Sequence, residues 1–132
     1  MAASGSRREA RERALELLYE SYAKAMPVDD VLAGLVLPPD PYAVALVQGV
    51  EDRGDELDAL ITKFAKGWTI DRMPVLDRTV LRLAIYELLA GNEPPVGVVI
   101  SEAVELAKRY STDDSGRFVN GVLASVAAQV RG

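Results

Sequence analysis

The chain has 132 residues, 49% of them hydrophobic, with a net charge of −5 and neither cysteine nor histidine. Those two absences exclude disulfides, thiolate nucleophiles, Ser-His-Asp triads and zinc sites built from the usual ligands. The length suits one domain over 1–132. No apolar run approaches the ~20 residues of a membrane span, and the N-terminal stretch MAASGSRREARER has no signal-peptide core, so a cytoplasmic protein is expected.

Residues 1–5 are small and polar and are expected to be disordered. Ser6 and Glu9 form an S-x-x-E capping box, which predicts a helix start at Ser6. Leu15, Leu18, Tyr19, Tyr22, Ala23 and Met26 follow at helical spacing, and Pro27 ends the run. Arg7, Arg8, Arg11 and Arg13 crowd the first turns of this helix. Cations there oppose the helix dipole, at roughly 0.3–1 kcal/mol each. Up to Arg13 the local charge is +2, on a body that carries −7. A basic arm on an acidic body points to an anionic partner. Arg7, Arg8 and Arg11 can project to one side and form an anion site with the free N–H groups of the helix end. The alternative is a solvated end paired with Glu9 and Glu12.

A short helix is expected from Asp29 or Asp30 to Val36, before Pro38, Pro39 and Pro41 break the chain. Asp40 is placed to cap the next element. From Pro41 to about Lys66 one helical stripe continues through Ala43, Leu46, Val47, Val50, Leu57, Leu60, Ile61 and Phe64. Gly49 and Gly54 permit close packing or a bend within it. Gly67 ends the helix, and Trp68 is expected to anchor the turn in the core.

The stretch Asp71–Leu89 is the central rod. Leu76, Val80, Leu81, Leu83, Ala84, Ile85, Tyr86, Leu88 and Leu89 make it apolar around most of its circumference, so it must be covered on several sides. Pro74 suits its first turn, and Asp77 complements its dipole. Arg78, Arg82 and Glu87 read as snorkelling or paired charges. Gly91, Asn92, Pro94, Pro95 and Gly97 form a loop. A helix over Val98–Tyr110 buries Ile100, Ala103, Val104 and Ala107. Asp113 or Asp114 is expected to cap the last helix, which buries Phe118 or Val119, Val122, Leu123, Val126, Ala127 and Val130.

Two G-xxxx-G spacings, Gly49 to Gly54 and Gly116 to Gly121, lack the lysine and the preceding strand of a phosphate loop. The acid pairs Asp29–Asp30 and Asp113–Asp114 sit at helix starts, where capping explains them. At the start of the last helix, Arg117 and Phe118 stand beside Asn120 and Gly121. That combination offers stacking and hydrogen bonds to single-stranded RNA. Its alternative is a Phe packed into the core. The fold class is all-α, with six to seven helices.

Three segments carry a family resemblance. They are RREARERALELLYE from Arg7, DRMPVLDRTVLRLAIYEL in the rod, and SEAVELAKRYSTDDSGRFVNGVL from Ser101. In this order they resemble the NusB family of bacterial transcription antitermination factors, and with their linking helices they span nearly the whole chain. The resemblance implies an all-helical NusB-like fold of two small packed bundles and a function without catalysis or cofactor. It implies binding to boxA RNA with the ribosomal protein NusE, within an antitermination complex on RNA polymerase. By residue, it implies RNA contact by Arg7, Arg8, Arg11, Tyr19, Asp114, Arg117, Phe118 and Asn120, and a protein-partner contact at Asp77. Glu9 departs from the family, whose members often carry a basic residue there; this lowers the expected RNA affinity.

Two other readings stay open: a helical adaptor that binds only protein, and the detached N-terminal domain of a ribosomal RNA methyltransferase. A homodimer that hides the arginine arm is also compatible with the sequence.

Overall fold

The computed structural model describes residues 4–132, and side chains from Arg7 onward. The expected disorder of residues 1–5 lies partly outside these. Among the described residues there are seven α-helices and no strand: α1 (Ser4–Lys24), α2 (Val28–Ala33), α3 (Pro41–Asp52), α4 (Gly54–Phe64), α5 (Val75–Leu89), α6 (Val96–Tyr110) and α7 (Asp113–Val130). The all-α class and the helix number agree with the sequence. Helix α1 starts at Ser4, so Ser6 lies inside the helix and does not cap it.

Helix α5 is the shared element: it packs against α1, α3, α4, α6 and α7. Helices α1, α2 and α3 pack together on one side of it, and α6 and α7 on the other. Leu81, Ile85 and Leu88 of α5 are buried between the two groups with Leu15, Leu17, Leu46, Leu57, Ile61 and Leu123. Burying one such side chain contributes about 1.5–3 kcal/mol.

The chain reaches this packing through breaks that its local chemistry explains, and several differ from expectation. Pro74 stands just before α5 as its N-cap, with ψ 139°, and not within its first turn. The single helix expected from Pro41 to Lys66 is two, separated at Arg53 with φ −109° and ψ 21°. The break re-aims the chain: α3 packs on α1 and α5, while α4 packs on α5 and α7. One straight helix could not face both sets. Asp40 does cap α3, its Oδ1 accepting from the Tyr42 N–H at 2.7 Å. At Gly49 the close approach is to the Tyr86 ring, which a methyl group there would meet at 2.2 Å. Gly67 takes φ 82°, the left-handed conformation that glycine adopts without steric cost, and turns the chain out of α4.

Helix α7 is capped by Thr112, not by either aspartate. Its hydroxyl accepts from the Ser115 N–H at 3.1 Å, and Ser115 Oγ accepts from the Thr112 N–H at 3.3 Å. The aspartates occupy the first turn, where their charge favours the dipole. At the far end Arg131 holds four carbonyls: Glu87 and Leu88 at 3.0 Å each, Asn92 at 3.2 Å and Pro94 at 2.6 Å. It ties the end of α7 to the end of α5 and the following loop.

Candidate functional site

The α1 stripe is rotated from its expected position. Ala10, Arg11, Ala14, Leu15, Leu17 and Leu18 are buried, while Tyr19, Tyr22, Ala23 and Met26 are exposed. This rotation separates the arginines. Arg11 is 6% exposed and donates from Nε and Nη2 to the Glu87 carboxylate on α5, at 2.9 to 3.1 Å. A guanidinium so engaged is a structural tie between α1 and α5, which corrects the expectation that Arg11 joins an exposed anion site. Arg7 and Arg8 are exposed. Arg7 lies over the Tyr42 ring, 4.2 Å from its centroid, and makes no ion pair among the described residues. Arg8 pairs with Glu102 of α6 in a fork, at 3.0 and 2.7 Å. The alternative, pairing with Glu9 and Glu12, does not form either: Glu12 accepts from the Tyr110 hydroxyl and from Arg109 at 2.7 Å. Those two bonds hold the Glu12 carboxyl below the ordinary carboxylate range.

Tyr42 links this surface to the interior. Its hydroxyl donates to Glu87, already held by Arg11. Burial, then the bond to the Glu87 carboxylate, pushes its pKa up to about 12. The sequence Arg7, Tyr42, Glu87, Arg11 thus runs from solvent into the rod. Tyr19 is 44% exposed, with its ring 6.3 Å from that of Tyr22. Eleven residues at about 100° each return Tyr19 to within roughly 20° of the Arg8 face.

The second surface lies where α4, α5 and α7 meet. Trp68 is not a core anchor: it is 50% exposed, 6.1 Å from the half-buried Phe118 ring. The two rings wall a cleft of about 380 Å³ with Met73, Pro74, Asp77, Thr112, Asp114 and Ser115. Asp114 is exposed at this cleft, and Arg117 and Asn120 are exposed farther along the first turns of α7. Arg117 and Phe118 also line a neighbouring groove with Lys63 and Lys66. Asp77, expected to meet a protein partner, is 4% exposed; its Oδ2 accepts from Ser115 Oγ at 2.9 Å and its Oδ1 has no partner. It ties α5 to the cap of α7 from the floor of the cleft.

Of the sequence-predicted site residues, Arg7, Arg8 and Tyr19 share α1, and Asp114, Arg117, Phe118 and Asn120 share the start of α7. Tyr42, Glu102 and Trp68 were missed. Tyr42 and Glu102 reach α1 from positions far along the chain, which no local pattern reveals. Trp68 carried a signal in its place one residue after a turn glycine. Of the remaining charges of the rod, Arg82 is paired, forking to Asp58 at 2.7 Å, whereas Arg78 has no carboxylate partner among the described residues: its Nη1 donates to the Ile70 carbonyl at 3.4 Å, its buried Nε has no partner, and its guanidinium stands 5.4 Å from the Tyr22 ring centroid. Among the described residues no three acids, as no His or Cys exists, cluster to hold a metal, and no helix is long and apolar enough to cross a membrane.

Residues 8–128 match the model of the NusB family. The chain is 51% identical over 129 residues to the transcription antitermination protein NusB of Salinispora tropica, covering 92% of this chain and 95% of that one. It is similar in structure to T. maritima NusB, with a TM-score of 0.85 and 34% identity over 98% of this chain and 94% of the other. It is also similar to a chain in the crystal structure of antitermination factors NusB and NusE in complex with double-stranded RNA: TM-score 0.81, 28% identity, 96% of this chain and 99% of the other. Across this length, at these identities and on this fold, the chain belongs to the NusB family.

Proposed function

We propose that this chain is a transcription antitermination factor without catalytic activity. In this reading it is a single RNA-binding domain that acts in the cytoplasm. It binds boxA RNA together with NusE and so suppresses termination by RNA polymerase in ribosomal RNA operons. The observation that carries the reading is its whole-length similarity to NusB antitermination proteins, one of them solved with NusE and RNA. Arg7 and Arg8 contact backbone phosphates at the N-terminal end of α1, where free N–H groups and the dipole add to the attraction. Tyr19 extends this surface along α1. Phe118 and Trp68 offer faces for unstacked bases, and Asp114, Arg117 and Asn120 supply donors and acceptors around them. Arg11 and Asp77 act from within, by holding α1 and α7 on the central helix.

The test is fluorescence anisotropy of a labelled boxA-like RNA against a scrambled strand, with and without NusE. Preference for the boxA-like strand, sharpened by NusE, is the expected result. Trp68→Ala, at an exposed position, should weaken RNA binding about tenfold, the scale of one lost base–aromatic stack. A second reading, a helical adaptor that binds only protein, draws on the fact that Arg8 and Arg11 already have carboxylate partners. Equal, weak binding to both strands, unchanged by Trp68→Ala and by Arg7→Ala, would establish that one instead.

A further inference from the structure

The seam between α1 and α6 places an acid in the middle of the basic face. Glu102, on the second turn of α6, accepts from Arg8 Nε at 3.0 Å and from Nη2 at 2.7 Å. The fields of Arg8, Arg11 and Arg109 all act on this one carboxylate. The two partners are held unequally: side-chain exposure is 62% for Arg8 and 15% for Glu102. The carboxylate is fixed in the seam, while the guanidinium can swing away from it. Two oxygens facing the Nε/Nη2 edge of an arginine are what a backbone phosphate also presents. Arg7 differs, because it rests on the Tyr42 ring and has no carboxylate partner among the described residues.

We propose that Glu102 is an internal competitor for the RNA phosphate at Arg8, and so a specificity-determining residue of the RNA surface. In the free protein it occupies the Arg8 guanidinium. On binding, a phosphate displaces it and Glu102 is left as an uncompensated negative charge beside the strand. A strand with no further contacts gains little from that exchange. A strand that also stacks its bases on Trp68 and Phe118 gains enough to complete it. The arm is therefore graded: Arg7 is ready for contact, Arg8 is conditional and Arg11 is structural. The exchange also sets the salt response. A phosphate contact by Arg8 releases a counterion from the RNA, but the freed Glu102 takes one up, so the two largely cancel in the wild-type protein.

This inference rests on the RNA-binding reading, and one set of titrations separates their failures. The full chain with NusE is titrated into fluorescein-labelled boxA-like RNA and into the scrambled strand, over a range of KCl concentrations. The variants are Arg7→Ala, Arg8→Ala, Glu102→Gln and the double variant Arg8→Ala/Glu102→Gln. Glu102→Gln should bind about two- to fivefold tighter, the range set by an exposed ion pair, and its log–log salt slope should steepen by roughly 0.7. The scrambled strand should gain more than the boxA-like strand, so discrimination narrows; equal gains on both strands would overturn the specificity role. The double variant should lose the gain. Tighter binding that survives Arg8→Ala would be a general charge effect and would overturn the proposal. Weaker binding by Glu102→Gln would also overturn it, since Glu102 would then be positioning Arg8 for the phosphate. If Arg7→Ala weakens binding while Glu102→Gln gains nothing, this inference alone is lost. If the wild-type chain shows no strand preference and Arg7→Ala changes nothing, the RNA-binding reading falls and takes this one with it.

Discussion

Arg11 on α1 and Glu87 on α5 form a forked ion pair in the interior, with Nε 2.9 Å from Oε1 and Nη2 3.0 Å from Oε2. The two residues are 6% and 4% exposed. Neither charge can be left alone there, because water cannot replace the missing partner.

Arg11→Ala should therefore cost about 3–5 kcal/mol, the scale for breaking a buried pair from one side. Arg11→Lys should recover only part of it, because an ammonium cannot make the fork. Replacing both with apolar residues, as in Arg11→Met/Glu87→Leu, should cost less than Arg11→Ala alone. Urea midpoints of the three variants check this ordering. A cost for Arg11→Ala below about 1 kcal/mol would mean that the pair is not sealed from water.

Tyr42 predicts a loss of stability in alkali. Its hydroxyl donates to Glu87, and its pKa is pushed up to about 12 from 10.0. Below pH 10 the folded and unfolded chains both keep this proton, and its contribution to stability is fully present. Between pH 10 and about 12 the unfolded chain releases the proton while the folded chain retains it, so stability falls as pH rises. Tyr42→Phe should lack that component and lose the highest-pH step in the phenolate absorbance titration. Loss of amplitude near pH 10 in Tyr42→Phe, with the highest-pH step kept, would show that Tyr42 ionises like an ordinary tyrosine.

Two helical glycines should respond to alanine with opposite signs. At Gly49 the added methyl would stand 2.2 Å from a Tyr86 ring atom, so the ring or the helix must shift. Overpacking of this kind costs typically 1–3 kcal/mol, more than the ~1 kcal/mol that alanine gains in a helix interior. At Gly121, exposed on α7, nothing lies within 4 Å of the added methyl. Gly121→Ala should stabilise by up to about 1 kcal/mol. Thermal unfolding of both variants is the measurement, and a stabilised Gly49→Ala would mean that Tyr86 moves aside at little cost.

The helices were legible because their apolar periodicity is strong, and the rod most of all. Its apolar circumference predicted cover on several sides, and α5 has it. Boundaries were less legible. The stripe from Ala43 to Phe64 stays in phase across Arg53, so periodicity alone could not reveal that α3 and α4 point at different neighbours. The cap of α7 went to Thr112 over Asp113 and Asp114 because Ser115, three residues on, completes the reciprocal pair. The buried face of α1 stops short of Tyr19 and Tyr22, which periodicity does not reveal, because an aromatic at helical spacing looks the same whether it is covered or lies at the edge of the covered face.

For the candidate site, the sequence by itself determined which residue types were available. Without cysteine or histidine the chain was denied thiol and imidazole chemistry, and the arginines massed at one helix start offered a place for an anion. The shared motifs determined the family. Only the tertiary structure decided which arginine is free to bind. Arg7, Arg8 and Arg11 look alike within α1, and what separates them is the partner each meets on another helix: the Tyr42 ring, the carboxylate of Glu102 in the α1–α6 seam, and the buried carboxylate of Glu87. An ion pair depends on distance and on exclusion of water, and both are set by how α3, α5 and α6 pack around α1.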